Sequence, residues 1–130
     1  MPRSARSADE RTCVQTCGMS YAPVIRATAE SGDVIDDPSE DALFMMLDDI
    51  EAGEGTYLIV ASLRDHSGQT YAQASRNEDG SYIVEYRDGR PEEHYGTVVR
   101  DMRAAHALLT GWAFDLPEWR DSAVWEPLEF

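Results

Sequence analysis

From Leu43 onward the apolar positions recur at intervals of three and four: Leu43, Met46, Leu47 and Ile50 form one stripe with Phe44 beside it, while Asp41, Asp48 and Glu51 lie off it. That spacing gathers the apolar side chains on one face of an α-helix. Asp37 has the character of an N-cap, Pro38 suits the first helical position, and Glu40 at the third completes a capping-box pattern. Gly53 supplies the residue that ends such a helix. The pattern therefore predicts a helix over 38–52.

Beyond it the period changes to two. Three runs, 56–64, 69–76 and 81–87, are separated by short clusters at 65–68, 77–80 and 88–91 that hold Gly68, Gly80 and Gly89 with Asn, Asp and Pro. Strands joined by such turn-forming residues form an antiparallel meander, and hairpins are expected at all three connections. Tyr57 to Leu63 is apolar on both alternations, which predicts an interior strand covered on both faces. Segments 94–98 and 21–28 are expected to add strands. Helical spacing returns over 100–114, with Met102, Ala105, Leu109 and Trp112 on one face. The last sixteen residues, with Trp119 and Trp125, are expected to pack irregularly over the sheet. Strands in a run flanked by helices give an α+β class: an antiparallel β-meander of four to six strands with two helices packed on it.

At 130 residues, with 42% apolar and 28% charged side chains, the chain has the length and composition of one folded domain rather than of a disordered segment. Residues 1–18 differ: Arg3, Arg6 and Arg11 against Asp9 and Glu10 give +1, with almost no apolar periodicity. They are expected to be a disordered tail, with Met19 as an alternative start and 19–130 as the single domain. Cys13 and Cys17 fall in that tail, and no second Cys or His pair completes a zinc site, so they are read as reduced thiols. No apolar run has the length of a membrane span and the N-terminus lacks the core of a secretory signal, which predicts a cytoplasmic protein.

Charge narrows the range of partners. The net charge is −14, and every basic residue other than histidine is an arginine. Such a field repels nucleic acid and anionic membrane and attracts cationic surfaces. Between Arg26 and Arg64 there is no basic residue, whereas Glu30, Asp33, Asp36, Asp37, Glu40, Asp41, Asp48, Asp49, Glu51 and Glu54 all fall there. Crowding of like charge on one helix and its flanks costs self-repulsion, so it points to a basic partner more readily than to stability.

Little in the sequence carries chemistry. His66, His94 and His106 share no metal-site or catalytic spacing with one another or with a carboxylate. The pairs Asp36-Asp37, Asp48-Asp49 and Glu92-Glu93 match no calcium loop, and Gly53 and Gly55 follow a helix, the reverse of a phosphate-binding order. No catalytic residue, metal or cofactor is expected, and the chain is read as a binding protein, a monomer or weak homodimer. Two other readings stay open. A small hydrolase or transferase would bring one of the histidines within hydrogen-bond reach of a carboxylate inside a pocket. A general acidic adaptor would bind many cationic proteins unselectively.

The order helix, three-strand meander, helix and tryptophan-bearing tail, with Tyr82-Ile83-Val84-Glu85-Tyr86-Arg87-Asp88-Gly89 in the third hairpin and Trp119 and Trp125 near the end, resembles the first-numbered immunity protein family of bacterial polymorphic toxin systems. The resemblance covers about 20–130. It implies a cytoplasmic antidote that binds a cognate toxin, often a nucleic-acid deaminase and otherwise a nuclease, and blocks its active site. Enzymes acting on nucleic acid carry basic grooves, which an acidic surface can occupy. The toxin-binding residues expected from charge are Asp36, Asp37, Asp41, Asp48, Asp49, Glu51 and Glu54. Those expected from the resemblance are Glu85, Tyr86, Trp119 and Trp125.

Overall fold

The computed structural model describes residues 22–129. The tail predicted over 1–18, both cysteines, Met19 and the first residue of the 21–28 strand lie outside the described residues. The chain begins with a hairpin of β1 (Ile25–Ala29) and β2 (Val34–Asp36) and passes through α1 (Glu40–Glu51). It then lays β3 (Tyr57–Ser62) against β1, meanders through β4 (Thr70–Arg76), β5 (Tyr82–Asp88) and β6 (His94–Val99), and forms α2 (Met102–Ala113). A two-residue β7 (Glu126–Pro127) joins the far edge, giving a seven-stranded sheet in the order β2-β1-β3-β4-β5-β6-β7, antiparallel throughout. The α+β class and the three hairpins are as the sequence predicts; the strand count exceeds the expected four to six. The extra edge strands β2 and β7 have three and two residues. Neither is long enough to show a period of two.

α1 starts later than its sequence signals indicate. Its N-cap is Ser39, whose hydroxyl accepts the Ala42 N–H at 3.0 Å. Asp37, the expected cap, has φ 47°. Its Oδ1 instead accepts the N–H groups of Val24 and Ile25, each at 3.0 Å, where the chain enters β1. The carboxylate thus satisfies the sheet rather than the helix. At the other end the prediction holds: Gly53 takes φ 93°, with Gly53 N–H on the Ile50 carbonyl and Glu54 N–H on the Asp49 carbonyl. That pair of bonds is the Schellman closure, which requires the left-handed conformation that glycine adopts freely.

The core lies between the helices and one face of the sheet. Leu43, Met46, Leu47 and Ile50 of α1 and Ala105, Leu108 and Leu109 of α2 meet Ala27, Leu58, Val60, Ala72, Ala74, Tyr82, Val84 and Tyr86, all on the same side of the strands. The alanines of β4 leave room for α2 to pack closely on the sheet. Strand β3 is interior, between β1 and β4, but its predicted two-sided cover is absent. Leu58 and Val60 are buried, Ile59 only partly, and Tyr57 is exposed. Among the described residues no helix covers the second face, and its apolar positions remain partly open.

The hairpin turns are braced by their own side chains. Asp65 accepts the Ser67 N–H at 2.9 Å and the hydroxyls of Ser67 and Thr70 at 2.6 Å each. These bonds, the Ser67 hydroxyl first, hold its carboxyl down to about 2. Because the folded state lowers this pKa, its contribution to stability is full above the ordinary carboxylate value of about 4 and is lost as pH falls toward about 2. An Asp65→Asn chain should therefore melt below wild type at pH 5. Melting curves between pH 5 and 2 should show the difference closing; a constant difference would contradict the assignment.

Candidate functional site: an acidic helix face and a bare sheet

The solvent side of α1 carries Asp41, Met45 and Asp48 at helical spacing, with Asp49 half-buried beside them and Met45 62% exposed. Glu40 and Asp41 occupy the first turn, where the helix dipole favours negative charge. Asp48, Asp49 and Glu51 crowd the last turn, which has no basic residue. There the dipole is unfavourable, each carboxylate costing about 0.3–1 kcal/mol before screening. Of the ten acids between Arg26 and Arg64, Asp33, Glu40, Asp41, Asp48, Asp49 and Glu54 have no side-chain hydrogen bond or ion pair among the described residues.

The remaining four have structural work. Glu30 accepts the Thr56 N–H at 2.6 Å and its hydroxyl at 2.8 Å, closing the β1–β3 end. Asp36 pairs with Arg26 at 2.6 Å across the first hairpin. Asp37 holds the β1 backbone, and its buried Oδ2 has no partner. Glu51 accepts the Tyr82 hydroxyl at 2.6 Å and Arg76 Nε at 2.8 Å. The Tyr82 bond is the main reason its carboxyl stays below the ordinary range, with Arg76 adding to it. Tyr82 is pushed up in turn, first by burial and then by Glu51. Asp36, Asp37 and Glu51 are thus partnered internally, leaving Asp41, Asp48, Asp49 and Glu54 as the unpartnered members of the predicted acidic site.

Glu85 and Tyr86, adjacent in sequence, face opposite sides of the sheet. On the bare side, Arg87 Nε donates to His94 Nδ1 at 2.9 Å, Arg87 Nη1 donates to Gln69 Oε1 at 2.7 Å, and His94 Nε2 lies 2.7 Å from Glu85 Oε1. Since Nδ1 accepts from Arg87, the ring proton is assigned to Nε2 and is donated to Glu85. The β5–β6 register creates this contact by placing His94 opposite Arg87 and Glu85 opposite Gly96. The sequence conceals it because nine residues and a hairpin separate the pair. A histidine and a carboxylate therefore do meet, but His94 is 1% exposed and both ring nitrogens are engaged, so no lone pair faces solvent. His106 donates from Nε2 to the Glu40 carbonyl at 3.0 Å, and His66 is exposed in its turn.

Tyr86 lies on the helix side among the tail aromatics. Its ring centroid is 5.1 Å from Trp119 and 4.8 Å from Trp125, both edge-on, and the two indoles are 5.7 Å apart. Trp125 donates its indole N–H to the Arg120 carbonyl at 2.9 Å, and the Arg120 guanidinium sits 5.2 Å over Trp119. Edge-to-face packing of this kind adds about 0.5–1.5 kcal/mol per pair beyond area burial. The tail thus covers one end of the sheet, as expected, with both tryptophans packed inward.

Among the described residues no three metal-ligating side chains converge, and no helix is long and apolar enough to cross a membrane. Comparison with protein-family models, curated proteins and solved structures finds no match.

Proposed function

We propose that the chain is an immunity protein: a cytoplasmic, non-catalytic binder that neutralises a cognate polymorphic toxin, a nucleic-acid deaminase, by laying its acidic surface over the toxin's basic active-site groove. The observation that carries this reading is the pair Asp48 and Asp49. Both stand in the last turn of α1, against the dipole, beside Glu51 and without a cation of their own. Such a placement lowers the stability of the isolated domain and is recovered only when positive charge arrives from another molecule. Asp41 and the exposed Met45 extend the same face, so the surface offers an apolar anchor within an acidic ring. An interface of ordinary size buries about 1,600 Å². The resemblance carried by the Glu85-Tyr86 hairpin and the tail tryptophans points to the same class of partner.

Co-expression with the toxin domain encoded by the adjacent reading frame is the direct test. The chain should restore growth and co-elute with the toxin; unrelieved killing with no complex would refute the reading. The Glu85–His94 contact supports a second reading, a small hydrolase or transferase, which requires a conformer that releases one ring nitrogen of His94 to a substrate.

A further inference from the structure

Strand β7 pairs with Tyr95 and Gly96 and reaches no further along the β6 edge. The β5–β6 ladder sets the direction of the remaining backbone groups. Asp88 N–H donates to the Glu93 carbonyl at 2.9 Å. Bonded pairs in an antiparallel ladder recur at every second residue, so Tyr95, Thr97 and Val99 bond inward to β5 while His94, Gly96 and Val98 turn to the outer edge. The Leu128 N–H on the His94 carbonyl, at 2.9 Å, agrees with that phase. The N–H and C=O of Val98 therefore point past the end of β7, with no strand opposite them among the described residues.

Beside this open edge, on the sheet face without helices, lies a cavity of about 440 Å³. Ile83, Gly96, Val98, Val124, Glu126 and Leu128 line it. Gly96 lets Leu128 rest directly on the strand, since a Cβ there would come within 2.8 Å of Leu128 Cδ1. Val98 is 65% exposed and Val124 81%, and both line the cavity. Glu126 is the one charged side chain among the described lining residues.

We infer that this edge and cavity dock an extended, cationic segment of the chain's protein partner, which pairs its backbone with Val98 and places an apolar side chain in the cavity. The inference rests on the proposed basic partner and specifies how that partner is held. Unpaired edge groups select an extended segment, because only a strand presents N–H and C=O in matching phase. The walls select an apolar side chain on the inward-facing position, and Glu126 selects a cation on its neighbour. A second copy of this chain brings another −14 and is repelled, so charge favours a basic protein over self-association.

The test is an amide-resolved NMR titration of the full chain with two synthetic hexapeptides of equal charge, one alternating Arg and Val, the other Arg and Ser, at an ionic strength of about 0.15 M. The Arg–Val peptide should shift the amides of Thr97, Val98, Val124 and Glu126 and bind about tenfold more tightly than the Arg–Ser peptide, and Val98→Arg should erase that preference. Val98 is exposed, so the variant should keep the wild-type melting temperature. Both peptides should also shift Asp48 and Asp49. Shifts at α1 without any at β6, or an undiminished preference in Val98→Arg, overturn the docking site and leave the basic-partner reading standing. Silence at both places overturns both.

Discussion

Replacing Asp48 and Asp49 together by arginine should make the isolated chain more stable and at the same time end its protection of a toxin-producing cell. Neither carboxylate has a partner among the described residues, and both stand at the end of α1 where the dipole favours cations. Reversal removes two unfavourable charges, adds two favourable ones, and sets an arginine at 48 three residues before Glu51, where a weak helical pair can form. At low salt the gain is about 1–2 kcal/mol in all, reduced by screening because these positions reach solvent. Against a basic groove the same four-unit change is repulsive, and the loss of steering slows association by about 10- to 10³-fold. Thermal melts and the co-expression assay read the two effects separately. A variant that loses stability has another role for Asp48 or Asp49, and one that protects normally removes this face from the interface.

The second large effect is expected at Gly111. It is buried in α2, and a Cβ added there would lie 2.3 Å from Trp119 Cβ and 2.9 Å from Cγ. The obstructing atom is the root of the tryptophan side chain, so no rotamer change relieves the clash and the tail backbone itself must withdraw. Helix propensity alone would reward Gly111→Ala by about 1 kcal/mol. Overpacking costs about 1–3 kcal/mol, and a displaced Trp119 loses edge-to-face contacts of about 0.5–1.5 kcal/mol each. The overlap decides the sign, and a net loss of about 2 kcal/mol should lower the melting temperature by about 10 °C. Tryptophan emission should shift to the red as Trp119 and Trp125 become wetter. An unchanged melt would mean that the tail does not contribute to the stability of the domain.

The sequence made the repetitive parts of this fold legible and concealed the parts that depend on juxtaposition. The stripe Leu43, Met46, Leu47 and Ile50 is the buried face of α1, and Gly53 ends it as expected. The capping pattern at Asp37 puts the start of α1 too early because Asp37 serves two backbone donors of β1, a demand visible only once the strand is adjacent. Two-sided cover of β3 was expected from Tyr57, Ile59 and Ala61, but those residues line a face without helices. Charge followed the same division. The gap between Arg26 and Arg64 is real along the chain, yet Arg26 reaches Asp36 across a hairpin and Arg76 reaches Glu51 from β4. Folding thus removes part of the acidic run and leaves Glu40, Asp41, Asp48 and Asp49 of α1 without partners among the described residues. The His94–Glu85 contact and the open edge at Val98 are likewise products of strand register, with no local signal to announce them.

The central claim is that the α1 carboxylates meet positive charge on another protein, and the association rate constant with the toxin domain, measured across ionic strength, tests it most directly. Wild type should associate fast at low salt and slow steeply as salt rises, while the chain with arginine at 48 and 49 should be slower at low salt and lose less of its rate as salt rises. Equal rates for the two chains, or a wild-type rate that does not change with salt, would contradict the account.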